Sequence, residues 1–273
     1  MSAIRKLIAN WLPAYAFLYV VFLYLPVLLL PIFSFNTAAT PKFPLNGFTL
    51  KWYEDLPKTP VLLDAAWNSA VVGVAAAILS TVLGICAARA ITRYRFPGRR
   101  AVNGLIMAPL VLPEIIVAVS LLIVLLQLGL SLSLFTVVLG HVLICIPYSV
   151  MVLTSGFEGF DRSLEEASAD LGETAFGTFR RVTLPMVAPA IISSLLVSFT
   201  ISLDEFIMAF FLTGTDVTLP VYIWGQLRFA AKLPSVLALG TLLLVGSFVL
   251  LAIAETLRRR AARRTNMENT AFV

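Results

Sequence analysis

The feature that most limits what this chain can become is the recurrence of predominantly apolar runs, each long enough to cross a bilayer as a helix. A helix needs about 20 mostly apolar residues to span the hydrocarbon core. Runs of that kind cover residues 13–35, 66–90 and 101–126. A fourth follows the turn 129–133 and ends near Gly156, and two more cover 186–212 and 236–257. With 59% of its residues hydrophobic and 13% charged, the chain has more apolar surface than a water-soluble core can enclose. The expectation is an all-α integral membrane protein with six transmembrane helices. The first run is well beyond the ~7–15 residues of a signal-peptide core, so it reads as a span rather than a cleaved leader.

Basic residues set the expected orientation. Fifteen of the 20 Lys and Arg residues fall on one side: Arg5, Lys6, Arg89, Arg93, Arg95, Arg99, Arg100, Arg162, Arg180, Arg181 and five of the terminal cluster Arg258–Arg264. The other side carries only Lys42, Lys51, Lys58, Arg228 and Lys232. Positive loops stay cytoplasmic, which puts both termini and the loop after the fourth span inside. The net charge of +5 is accounted for by these helix ends, so it does not argue for nucleic acid. The terminal arginines read as a stop-transfer signal and an anchor to anionic lipid. The segment 36–65 holds Pro41, Pro44, Pro57 and Pro60 with Phe43, Trp52 and Tyr53, the composition of an ordered cap on the outer surface.

Chemistry-bearing residues are few. Cys86 and Cys145 lie in apolar runs without metal-ligand spacing and read as small buried hydrophobes. His141 stands alone inside the fourth span, where a hydrogen-bonded packing role is favoured over a proton relay. One His and scattered serines make no catalytic triad or metal site. Trp224, Phe229 and Tyr222 read as outer-surface packing or partner contacts, with an aromatic cage for ammonium groups as the other reading. Glu114, Asp204 and Glu205 fall inside spans, where carboxylates are expensive. Either they pair and pack, or they line a path for a cationic solute. Glu114 follows Pro113, whose disruption of the helix would let a side chain turn inward.

The loop 157–185 is long for a connector and carries Glu158, Asp161, Glu165, Glu166, Asp170 and Glu173. Asp161 suits the cap of a helix beginning at Arg162, with Glu165 and Glu166 near its positive end. Leu164, Ala167, Ala169 and Leu171 supply a weak apolar face, and Gly172 ends the run. A second short helix is expected over 173–181, with Phe176 and Phe179 three apart and the fifth span starting at Pro185. Taken alone, this helix–Gly–helix element packs on its own bundle or receives a partner.

The run Glu166-Ala167-Ser168, then Gly172, then Val182-Thr183-Leu184-Pro185 resembles the EAA loop of ATP-binding-cassette importer permeases. That pattern is Glu-Ala-Ala, three residues, Gly, nine residues and Ile-x-Leu-Pro; only Ser168 and Val182 depart from it. Leu112-Pro113-Glu114-Ile115, Ser202-Leu203-Asp204-Glu205-Phe206, and Leu219-Pro220 with Ile223 make it look closest to the polyamine (spermidine/putrescine-type) branch. The resemblance implies the type I importer permease fold in a bacterial inner membrane. It divides the chain into a first span and outer loop (1–65), a permease core (66–257) with the coupling loop 157–185, and a basic tail (258–273). It also implies that Glu165, Glu166, Ala167, Ser168, Asp170, Leu171, Gly172, Leu184 and Pro185 couple the chain to a separate ATPase dimer. Glu114, Asp204 and Glu205 would lie on the substrate pathway.

The chain contains no Gly-x-x-x-x-Gly-Lys-Ser/Thr phosphate loop, so ATP and Mg are expected on the partner and no cofactor or metal on this chain. Further implied partners are a second, related permease chain, an extracytoplasmic solute-binding protein and a small cationic substrate such as a polyamine. The alternatives are a permease for another small solute and a stand-alone secondary carrier. Chain size and the loop disfavour the carrier.

Overall fold

The computed structural model describes residues 2–38 and 40–249, with side chains from Trp11 onward. The basic tail 258–273, the end of the sixth apolar run and the side chains of Arg5 and Lys6 lie outside the described residues. In chain order the helices are α1 (Ser2–Ser34), α2 (Lys51–Asp55), α3 (Pro60–Arg93), α4 (Arg99–Val111) and α5 (Glu114–Gln127). They continue as α6 (Leu134–Glu158), α7 (Ser163–Asp170), α8 (Ala175–Asp204), α9 (Ile207–Leu212), α10 (Leu219–Leu227) and α11 (233–249). Among the described residues, five helices are long and apolar enough to cross a membrane. A sixth span results if the bent pair α4–α5 counts as one.

The described residues divide into two compact units: one from 2–59 together with 225–249, and one from 60–224. In the first, the segment after α1 is ordered around Asn36, which is buried. Its Oδ1 accepts the Asn46 amide at 3.1 Å, and its carbonyl accepts the Trp52 indole N–H at 2.8 Å. Phe35 stacks on Phe48 and Tyr53, with ring centroids 4.9 and 5.1 Å apart. The cap ends earlier than the composition suggests, because Pro60 already occupies the first turn of α3, where its missing N–H costs nothing.

In the second unit, α3, α6 and α8 pack against one another. Their seams are built from small residues. A Cβ added at Gly84 of α3 would stand 2.8 Å from the Ser149 Cβ, so the backbones approach closely. Along α6, His141, Cys145 and Ser149 recur every fourth residue and meet Ser202 and Ser198 of α8 at the same spacing. His141 Nδ1 lies 2.6 Å from the Ser202 hydroxyl, Cys145 donates to the Ser198 carbonyl at 3.5 Å, and Ser149 meets the Ser198 hydroxyl at 2.9 Å. Hydrocarbon offers polar groups no water, so they pair across the seam. His141 is thus hydrogen-bonded through Nδ1 within the α6–α8 seam, with Nε2 buried and unpartnered among the described residues. Cys86, expected to be buried, is exposed on α3.

Two apolar runs that read as continuous spans are broken. The third bends by 108° between α4 and α5. Pro113 lacks an N–H and forces Leu112 into an extended conformation, with φ −79° and ψ 143°. The fifth is interrupted at Glu205, whose backbone is extended at φ −71° and ψ 111°. No proline or glycine marks that second break. Its Oε1 accepts the Met208 amide at 2.9 Å, so the carboxylate takes up an N–H at the start of α9.

Candidate functional site

The loop between α6 and α8 is held in a defined shape by its own sequence. The Asp161 carboxylate accepts the Ser163 amide at 2.9 Å, so α7 begins one residue later than expected. That backbone N–H, with the Ser163 hydroxyl, holds the Asp161 carboxyl below the usual carboxylate range. At the other end Gly172 adopts φ +85°, the left-handed conformation that closes a helix. The Glu173 amide then reaches the Ser168 carbonyl at 3.2 Å, and the Gly172 amide reaches the Ala169 carbonyl at 2.9 Å.

The expected second short helix and the fifth span are one continuous helix, α8, of 30 residues. Thr174 caps it by accepting the Gly177 amide at 3.1 Å. Pro185 does not start a new helix, because a π turn over Phe179–Thr183 precedes it. The widened turn absorbs the hydrogen bond and the space that proline denies an ordinary α-helix.

The residues singled out for ATPase coupling divide into two groups. Glu166 is exposed and pairs at 3.1 Å with Arg162, the residue that immediately precedes α7. Ala167, Asp170, Leu171, Gly172 and Pro185 are exposed, and Leu184 is half-buried. Leu171 at 89% and Phe176 at 73% exposure present apolar side chains to the outside. Ser168 is half-buried, with its hydroxyl 3.0 Å from that of Thr178.

Glu165 turns the other way. Its Oε2 lies 2.8 Å from Arg93 Nε, an ion-pair contact whose N–H points off the line to the oxygen, and its Oε1 accepts the Thr183 hydroxyl at 2.6 Å. Nearby, the Arg89 guanidinium lies over the Phe179 ring at 4.3 Å. Arg93 and Thr183 were invisible as site residues in the sequence, since nothing local signals a partner 72 and 18 positions from Glu165.

The intramembrane acids also separate. Glu114, at the start of α5, and Glu205, at the α8–α9 break, come within hydrogen-bonding reach of each other. Glu205 is 8% exposed and Glu114 half-buried. The two helix breaks therefore meet, because α9 packs against both α5 and α6. Asp204 is exposed and stands outside this pair. Beside Glu205, the Phe206 ring lies 5.4 Å from both Phe210 and Trp224. Phe206 entered the sequence reading only as the end of the run 202–206, and Phe210 went unremarked, being indistinguishable there from other apolar residues of the span.

A bundle of long apolar helices with two broken spans meeting at a buried and a half-buried carboxyl, and a structured loop before the fifth span, is the architecture of a membrane transport subunit. The chain belongs to the family of binding-protein-dependent transport system inner membrane components, whose pattern it matches over residues 80–263. The family expected from the EAA-like loop is therefore the family found.

Among relatives, the chain is 36% identical over 250 residues to the spermidine/putrescine transport system permease protein PotC of Haemophilus influenzae, covering 90% of this chain and 96% of that protein. It is also 36% identical over 251 residues to the putrescine transport system permease protein PotI of Escherichia coli strain K12, covering 89% of each. Its fold resembles a chain of a bacterial transporter involved in the import of the acidic polysaccharide alginate. That likeness has a TM-score of 0.74 at 15% identity, over 92% of this chain and 96% of the other.

Proposed function

We propose that this chain forms half of the translocation pathway of an ATP-driven polyamine importer. The Glu114–Glu205 pair carries the reading. Two carboxyls brought together where α9 packs on α5 form a site suited to sharing a proton or a cation. An ammonium group entering from water would exchange hydration for carboxylate oxygens, held weakly enough to leave again. The Phe206, Phe210 and Trp224 rings beside Glu205 offer π faces and an apolar surface. Those suit a chain of methylenes carrying separated ammonium groups. The similarity to PotC and PotI extends over about nine-tenths of this chain and supports the same substrate class.

The energy source lies elsewhere. An ATPase dimer holding ATP and Mg2+ would receive α7 from the cytoplasm, with Glu166 and the exposed Leu171 and Phe176 at the contact. A second, related permease chain would complete the pathway, and a solute-binding protein would deliver the polyamine on the opposite side. Both chain termini would then be cytoplasmic, in keeping with the fifteen basic residues assigned to that side.

The test is uptake of labelled putrescine and spermidine by the complete transporter in proteoliposomes, with the double variant Glu114→Gln/Glu205→Gln. Loss of charge-assisted contacts should lower the uptake rate about tenfold or more at unchanged assembly. Asp204→Asn, outside the pair, should have the smaller effect. Polyamine uptake at the native rate in the double variant would remove the pair from the pathway.

A further inference from the structure

We propose that Arg93, Glu165 and Thr183 form the joint through which motion of the cytoplasmic loop reaches the membrane helices, with Arg93 and Glu165 as positioning residues for transport. This inference rests on the reading that α7 docks on an ATPase.

A docked helix can pull on the membrane spans only if it is fastened to them. By its own packing α7 is poorly fastened: it is eight residues long, contains no buried residue, and ends at Gly172, whose added Cβ would meet nothing within 4 Å. A short helix next to such a turn would tilt under load and leave the spans where they were. Ser168 meets the Thr178 hydroxyl of α8 alone, and what ties α7 to both α3 and α8 is Glu165, through its two carboxylate oxygens. One contacts Arg93, the last residue of α3, and the other accepts the hydroxyl of Thr183, in the π turn of α8.

The contact is sheltered, with the Arg93 and Glu165 side chains only 12% and 16% exposed, so solvent and salt screen it far less than a surface pair. Arg93 is itself steadied by Phe160 beyond the end of α6, with its guanidinium 5.6 Å from that ring. Glu166, the neighbouring acid, forms its ion pair with Arg162, the residue that immediately precedes α7.

The two anchor points are the cytoplasmic-loop ends of helices that pack together along their length. A displacement of α7 is therefore delivered to α3 and α8 at once. At 30 residues, α8 is about 45 Å long, and its far end stops at Asp204, next to the Glu205 break. The joint thus connects the docking loop, through one continuous helix, to the break that carries Glu205, the buried member of the carboxyl pair.

The experiment compares Glu165→Gln, Arg93→Gln, Thr183→Val and the charge swap Arg93→Glu/Glu165→Arg in the complete transporter. The readouts are co-purified ATPase and polyamine uptake per ATP hydrolysed. The single variants should keep the ATPase bound while uptake per ATP falls about tenfold, and the swap should restore a substantial part of it. Native coupling in Glu165→Gln and Arg93→Gln, with the ATPase bound, would overturn the joint while leaving the docking reading intact. Loss of the ATPase from Glu165→Gln would also overturn it, by placing Glu165 at the docking surface itself. Failure of the native chain to retain an ATPase would remove the docking reading and the joint together.

Discussion

At the scale of single residues, Gly172 separates a backbone requirement from a surface requirement. Its φ of +85° is one that other L residues occupy at a cost of about 1–2 kcal/mol. Among the described residues, apart from its two chain neighbours, nothing lies within 4 Å of where a Cβ would sit. A Cβ there has open space, so an effect well beyond that backbone cost points to a partner. Gly172→Asp is expected to reach the membrane in native amounts and to abolish uptake. Immunoblots of membranes beside transport assays would check it, and normal uptake would remove this turn from the docking surface. Glu165 and Glu166 make the complementary point. They are adjacent and chemically identical in sequence, yet one is clamped between two helices and the other faces outward. Helical geometry separates neighbours by about 100°, so which of two adjacent acids turns inward depends on what each side of the helix meets.

At the scale of elements, the α3–α6 seam should be intolerant of added volume. The Gly84 Cβ position lies 2.8 Å from the Ser149 Cβ and 2.9 Å from Leu153 Cδ1. Gly84→Val is therefore expected to destabilise the bundle by about 1–3 kcal/mol, read as a lower unfolding temperature in detergent. An unchanged temperature would mean the helices separate more easily than their packing indicates. Most helices of this bundle were legible from apolar run length alone, and the Pro113 break from proline's missing donor. The Glu205 break was not. It depends on a carboxylate taking up the amide of Met208, a contact that a sequence pattern does not display. Nor was the fusion of the loop's second helix with the fifth span, since proline often marks a helix start, whereas here a π turn precedes Pro185 within one continuous helix.

At the scale of the whole molecule, the orientation proposed from charge can be tested where the loop is most exposed. Leu171→Cys, in a background carrying Cys86→Ser because Cys86 is itself exposed, should react with an impermeant maleimide in inside-out vesicles. It should stay unlabelled in intact cells until they are permeabilised. Labelling from the outside of intact cells would invert the topology. Apolar run length, basic asymmetry and the spacing around Glu166 and Gly172 determined on their own that this is a helical membrane protein with a structured loop before its fifth span. These are local or one-dimensional properties: hydrocarbon thickness counts residues, and a motif is a spacing. The meeting of Glu114 with Glu205, the placing of Phe206 against Trp224, and the bridging of α3 and α8 by Glu165 were decided only by tertiary structure. Each joins residues far apart in the chain, and which side chains face one another follows from how the helices pack.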